Sequence, residues 1–492
     1  MHESVDPTLM GEVRLGMGIR RGWVFLCFSV ACMAGASSMA QHLDPACAVP
    51  AAVPNDGLDD RAAIQEALTT QGCAYLPAGT YDIDTPSFVP PARRIYAMLT
   101  ATGARLYGDG PATVLRFRGD AGGQDWQGVR LDGVSPSLHD LSMNTADLTN
   151  TNEQTHAVRV VGPTADPTIY KVSFTHPQRG EPGGDCVQLV GYAPAQLITR
   201  ARIHDNEFGK CDRSGVAIHS GTQDLEIADN RFHDTGDQDI DGEGTGDNSD
   251  WLIARNTISL GAAPQGAIAI QIQLTSNVRI TENVLQGRGI FAYSCSACEI
   301  DHNLILRRAG TSGMGAVEIQ KASSHVNVHH NVIERADSAG TGSVVRAYPH
   351  GTGTPDHVTI SDNVLIQRAT AGSVIETMGV VGLFVERNTV THAGAADTSY
   401  GVLANGSAGT NPIRTDDLHV NSNTWSGPLK AVIAISGSYG GCGSLSATHN
   451  VAAAPGVLCQ NATTGSMILG PLDVSGNTWL PSLCGTMIAP GN

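Results

Sequence analysis

The densest group of ionisable side chains lies between His233 and Asn248, in the run HDTGDQDIDGEGTGDN. If Gln238 to Glu243 is extended, Ile240 turns into a core and Asp239, Asp241 and Glu243 share the opposite face, because side chains alternate along a strand. Residues two apart on a strand lie about 6.5–7 Å apart, close to the spacing with which inverting glycosidases place a water between acid and base. Crowded carboxylates raise one another's proton affinity, so one of the set can stay protonated near neutral pH as the general acid. Asp241 and Glu243 are therefore the first catalytic candidates and Asp239 the third. The same run opens as Asp237-x-Asp239-x-Asp241-Gly242, the start of a calcium loop, but position twelve is Asn248 where a bidentate glutamate belongs. Asp237, Asp239 and Asp241 are thus candidate ligands of a looser calcium site. Hydrolysis itself requires no cofactor, and a solvated acidic bend is the structural alternative.

Further candidates come from aligning the short apolar segments that follow a recurring asparagine. With Val187, Ile218, Ile240, Ile270, Ala292, Val317, Val345 and Ile375 pointing inward, the next residues point outward: Gln188, His219, Asp241, Gln271, Tyr293, Glu318, Arg346 and Glu376. This polar column makes His219, Gln271, Tyr293, Glu318, Arg346 and Glu376 candidate substrate-binding residues. A lyase would need a base beside a uronate carboxylate and a cation to neutralise it. Arg346, Lys321, Tyr348, His350, His219 and Tyr293 offer those groups. Arg346 between Glu318 and Glu376 also reads as a charge-balancing ladder.

These side chains share a face only if the elements beneath them repeat. A unit of Asn, any residue, then an apolar residue returns at Asn206, Asn230, Asn256, Asn283, Asn303, Asn331, Asn363, Asn388, Asn423, Asn450 and Asn477, at intervals of 20 to 35 residues. Alternating runs such as Leu225-Glu-Ile and Val326-Asn-Val precede the units, with the period of half-buried strands. The pattern predicts an all-β fold, a right-handed parallel β-helix of stacked coils about 4.8 Å apart. Asparagine suits its corner by tolerating left-handed backbone angles and by bonding to the amides above and below.

Upstream, NDGLDDRAAIQEAL and AYLPAGTYDI, from Asn55 to Ile83, predict a short capping helix with Asp59 or Asp60 as N-cap and Ala63, Ile64, Ala67 and Leu68 as its apolar stripe. Such a helix covers the open end of a stack. This segment, with GARLYGDGPATVLRF from Gly103 to Phe117, resembles the N-terminal cap and second coil of the pectate-lyase superfamily, in its rhamnogalacturonase and epimerase-like branch. The resemblance implies a β-helix with a carbohydrate ligand. That family includes hydrolases, lyases, epimerases and viral tailspikes, and the paired aspartates, Gly-His-Gly and Arg-Ile-Lys elements of polygalacturonases are not found here. The expected function is therefore polysaccharide cleavage along the groove by carboxylate-assisted hydrolysis. β-Elimination of a uronate polymer, with calcium or Arg346, is the alternative, and a non-catalytic glycan binder or surface protein is the reading from another class.

Composition bounds the rest. Residues 1–40 read as an export signal, with Arg20 and Arg21, an apolar stretch from Trp23 to Ala34 and small residues ending at Ala40, leaving 41–492 as one domain. Secreted or periplasmic location follows. The rival is a lipid anchor on Cys32, although Ser29-Val30-Ala31 lacks the usual leucine of bacterial lipoprotein signals. No later apolar run approaches the roughly 20 residues of a membrane helix, so no membrane insertion is expected. A formal charge of −17 disfavours nucleic acid, and means that a polyanionic glycan would need local cations. A polysaccharide partner and a monomer are expected. Of 11 cysteines, Cys27 and Cys32 leave with the signal. Cys186 and Cys211, one coil apart, are placed to bridge, and Cys295-x-x-Cys298 reads as a local disulfide or two buried thiols rather than a zinc site.

Overall fold

The alternating runs form short strands, and among the described residues every strand ladder is parallel, joining segments one coil apart in sequence. The computed structural model describes residues 47–479, apart from 86–94, 176–183, 260–267, 309–313, 337–341, 370–371, 394–398, 407–413, 438–441 and 460–467 and the single positions 151, 193, 245, 352, 455 and 469. The export signal, with Arg20, Cys32 and Ala40, lies outside the described residues.

One coil shows the construction. Gly289–Tyr293 pairs with Ile268–Gln273 on one side and Val317–Gln320 on the other. Ser296–Asp301 joins Thr275–Thr281 to Ser324–His329. Leu304–Arg307 joins Val284–Gln286 to Val332–Arg335. Each coil thus gives one strand to each of three sheets, and the asparagine corner lies between the second and third. All eleven predicted asparagines form one ladder, buried except at its last rung, Asn477, in which each Nδ2 donates to the Oδ1 of the next at 3.0 Å. Asn283 shows why only an amide serves. Its two Nδ2 hydrogens are taken up by three acceptors within reach, Asn303 Oδ1 and the carbonyls of Ile253 and Thr281, while its Oδ1 accepts from the backbone and side-chain nitrogens of Asn256. A buried group with two donors and two acceptors is fully satisfied, without the cost of an unmade bond.

The left-handed angle at this corner falls on the residue before the asparagine, not on the asparagine as expected. Asp205, Asp229, Arg255, Glu282, His302, His330, Asp362, Arg387, Ser422 and His449 all have φ between +54° and +58°, and Gly476 takes the same position. Inter-coil backbone bonds compensate the strain, among them Arg255 N–H to Thr281 O at 3.1 Å and Asp362 N–H to Glu386 O at 3.0 Å. The asparagine is there for its amide alone.

Inside, like residues stack. Val187, Val216, Ile240, Ile270, Ile290, Val317, Val345 and Ile375 form one fully buried aliphatic file. Phe174, Phe208 and Phe232 stack at 4.9 and 4.6 Å. The predicted helix spans Arg61–Gln71 and buries Ile64, Ala67 and Leu68, with Ala63 only partly covered. Asp60 stands at the N-cap but makes no side-chain cap bond; its carboxylate accepts the N–H groups of Val53 and Asp82 instead, tying the helix to the first coil. Cys186 and Cys211 are bridged, as are Cys295 and Cys298; a further bridge, Cys47 to Cys73, pins the start of the described chain to the cap.

Candidate active site

The first sheet carries the outward row. In register it reads Arg130, Arg159, Gln188, Ala217, Asp241, Gln271, Phe291, Glu318, Arg346 and Glu376. Six of the eight expected residues stand in it. The expected alignment of His219 and Tyr293 is corrected: Ala217 and Phe291 occupy their rungs, and both lie two residues further along, on the same face. Val216 and Ile290, not Ile218 and Ala292, belong to the inward file.

Asp241 is 1 % exposed and accepts Gln271 Nε2–H at 3.1 Å. Burial, reinforced by the charges of Glu243 and Asp185, pushes its pKa up to about 8. Glu243, two residues on, is half-exposed, with His219 Nδ1 3.9 Å from its carboxylate. Burial lowers the pKa of His219, and Gln188 Nε2 lies 2.9 Å from the His219 Nε2. A neutral ring that accepts the Gln188 N–H at Nε2 carries its proton on Nδ1, facing Glu243.

Beneath this group lies a cluster the sequence did not single out. Asp185 is fully buried, and Arg213 grips it with Nε at 2.8 Å and a terminal nitrogen at 2.7 Å. Burial opposes its charge, but the adjacent His156 and the fork of Arg213 prevail and hold its carboxyl well below the usual range. The bridge Cys186–Cys211 contained a signal for this pair, since it sets the coils of Asp185 and Arg213 side by side; His156 had none.

The structure separates Asp239 from the other two carboxylates' face. It lies in the bend before the strand Ile240–Gly242, where Thr235 Oγ1 donates to it at 2.6 Å and the buried Arg288 approaches at 3.4 Å. Burial still outweighs Arg288 and raises its pKa to about 6. Asp237, on the same bend, is half-buried, and burial raises its pKa too. This corrects the expected calcium set: Asp237, Asp239 and Asp241 do not converge, and Asp239 already has a cation. The one group among the described residues whose ligand atoms lie within 4.8 Å of one another is His325, Asp356 and His357, on the second sheet.

Further along the row, Glu318 is buried and accepts from Gln320 Nε2 at 2.8 Å, and Gln320 in turn contacts the Tyr348 hydroxyl. Arg346 lies 3.9 Å from Glu318 and 3.5 Å from Glu376, over the ring of Tyr348. Its charge is thus shared between two carboxylates, and Asn405 and Ser343 bind Glu376 from the sides. Lys321 sits over the Tyr293 ring at 4.8 Å.

Residues 197–346 and 245–424 match the family model of the right-handed β-helix region. The chain is a right-handed β-helix. No curated protein matches its sequence. Among solved structures this β-helix is similar to the mannuronan C-5 epimerase AlgE6 A-module of Azotobacter vinelandii, at 14% identity over 87% of this chain and 97% of that one, with a TM-score of 0.39. It is also similar to the catalytic domain of a GH87 α-1,3-glucanase in complex with nigerose, at 12% identity over 89% and 70%, with a TM-score of 0.47. The tailspike protein of E. coli bacteriophage HK620 in complex with a pentasaccharide gives 11%, 86%, 76% and 0.47. At these values the neighbours assign no chemistry to this β-helix.

Proposed function

We propose that this protein is an exported polysaccharide hydrolase whose acid and base are Asp241 and Glu243. The observation that carries the reading is their placement. A buried carboxyl that keeps its proton to about pH 8, on the strand Ile240–Gly242, stands two residues from a half-exposed carboxylate just past the end of that strand. The residues from Asn55 to Phe117, which resemble a carbohydrate-active branch of β-helices, support the choice of a glycan.

Asp241 gives its proton to the glycosidic oxygen as the bond to the anomeric carbon breaks. Glu243 takes a proton from the water whose oxygen bonds to that carbon, giving inversion at the spacing of about 6.5–7 Å between alternate residues. Gln271 holds one Asp241 oxygen and leaves the other to carry the proton, and the His219 Nδ1–H faces Glu243 at 3.9 Å. Thr235 and Arg288 commit Asp239 to holding the bend, so its role is positional. Elimination centred on Arg346 is less well supported, because Glu318 and Glu376 already share its charge.

A glycan panel scored for new reducing ends and for absorbance of an unsaturated product tests this. Hydrolysis gives the first signal alone, elimination gives both, and a binder gives neither. Activity that survives both Asp241→Asn and Glu243→Gln would remove the assignment.

A further inference from the structure

Arg159 stands three rungs from Asp241 on the same outward row, about 14 Å along the stack. Val158 and Val160 on either side are buried in the core, so alternation turns Arg159 to the outer face. It is nonetheless only 7 % exposed, and among the described residues its guanidinium makes no hydrogen bond and no ion pair; its Nε is buried without a partner. A guanidinium taken out of water without an anion is costly, and burial accordingly lowers its pKa.

The surrounding carboxylates are committed elsewhere. Asp185 is held in a fork by Arg213, and Asp125 accepts from Asn152 at 2.8 Å. In a chain of net charge −17, the row therefore contains a spare, buried, pre-positioned cation beside Gln188. A planar fork of N–H donors fits an oxyanion, and a carboxylate best, because both of its oxygens can be engaged at once.

We infer that Arg159 is the carboxylate subsite of this outward row and that the substrate is an acidic glycan bearing uronate residues. The inference rests on the hydrolase reading for the place where substrate binds but not for the chemistry. A ligand reaching from Arg159 to Asp241 spans more than one sugar ring, so the uronate at Arg159 is distant from the bond that breaks. Arg159 holds substrate there, and the proton chemistry stays with Asp241 and Glu243.

The test is calorimetric titration of the full protein, as wild type and as Asp241→Asn so that ligand is not consumed. The probes are oligomers of galacturonate, mannuronate and glucuronate, each against its carboxyl-reduced form, with dextran sulfate against dextran as the sulfate arm. The expected result is that at least one uronate oligomer binds about ten- to a hundredfold more tightly than its reduced form, the gain of a charge-assisted bidentate pair. Arg159→Gln should erase that preference. Arg159→Lys, which keeps the charge and loses the fork, should retain only part of it and decides the matter if the glutamine variant does not fold. Equal affinity for every acidic and reduced pair, a preference left whole in either variant, or binding of the sulfated polymer alone would overturn the inference. Cleavage of a neutral glycan without any acidic preference would sink this subsite and leave the hydrolase standing. Acid-selective binding without cleavage would do the reverse.

Discussion

Replacing Asp241 by asparagine should stabilise the protein at neutral pH while abolishing its activity. Burial raises this carboxyl from an ordinary 3.8 to about 8, so the folded state holds a proton that the unfolded chain releases. With a folded pKa above the unfolded one, the contribution to stability is fully present below about pH 4 and is lost as pH rises through about 8. Each pH unit in that window is worth about 1.36 kcal/mol, and the three units between about 4 and 7 set an upper figure of about 4 kcal/mol. Water penetration and relaxation around the carboxyl reduce this, and about 2–4 kcal/mol is expected. Asparagine has no proton to lose and still offers Gln271 an acceptor at the same atom. In a β-helix of this length, an unfolding entropy of about 2.1 cal/mol/K per residue converts 1 kcal/mol into roughly 1 °C. Calorimetric melting of both proteins from pH 4 to 8.5 should give coincident Tm values at the acid end and an advantage of about 2–4 °C for Asp241→Asn near pH 7. Asp239, raised to about 6, is common to both proteins and cancels in the comparison. Parallel curves would refute the buried-acid argument and the general acid with it.

The mirror case is Asp185, whose carboxyl is held low: its stabilisation is present above about pH 4 and is lost as pH falls further. Asp185→Asn breaks the fork with Arg213 and should cost about 3–5 kcal/mol at pH 7, with the loss of Tm shrinking toward pH 3. Asn303→Ala leaves the buried backbone N–H of Asn283 without its acceptor and removes the donor to Asn331; about 2–4 kcal/mol should be lost in denaturant unfolding, whereas an exposed asparagine such as Asn277 changed to alanine should cost far less. In Glu243→Gln, kcat should fall about 10²–10⁴-fold with KM little changed; a change confined to KM would make Glu243 a binding residue.

The corner ladder was legible because a buried amide has few substitutes, so the same residue recurs although the loops between repeats differ in length. The left-handed residue before it was not, since Asp, Arg, Glu, His and Ser all serve there and no composition marks the position. Register on the first sheet was legible up to a slip of two: Ile218-His219 and Ala292-Tyr293 satisfy the same inward-outward alternation as Val216-Ala217 and Ile290-Phe291, and a period of two cannot tell them apart. Asp241 and Glu243 were visible as candidates from their spacing, although the strand ends at Gly242, between them. Asp185, Arg213, His156 and Arg159 meet only through coil stacking, which local pattern does not encode.

The amide ladder has a consequence for how the molecule can change. Its rungs keep a 3.0 Å bond whether 20 residues separate two asparagines, as between Asn283 and Asn303, or 35, as between Asn388 and Asn423. Segment length is thus decoupled from the integrity of the shaft. Connectors that lead into the first sheet can be exchanged while the spine, which never senses their size, goes on holding Asp241, Glu243 and Arg159 at fixed heights.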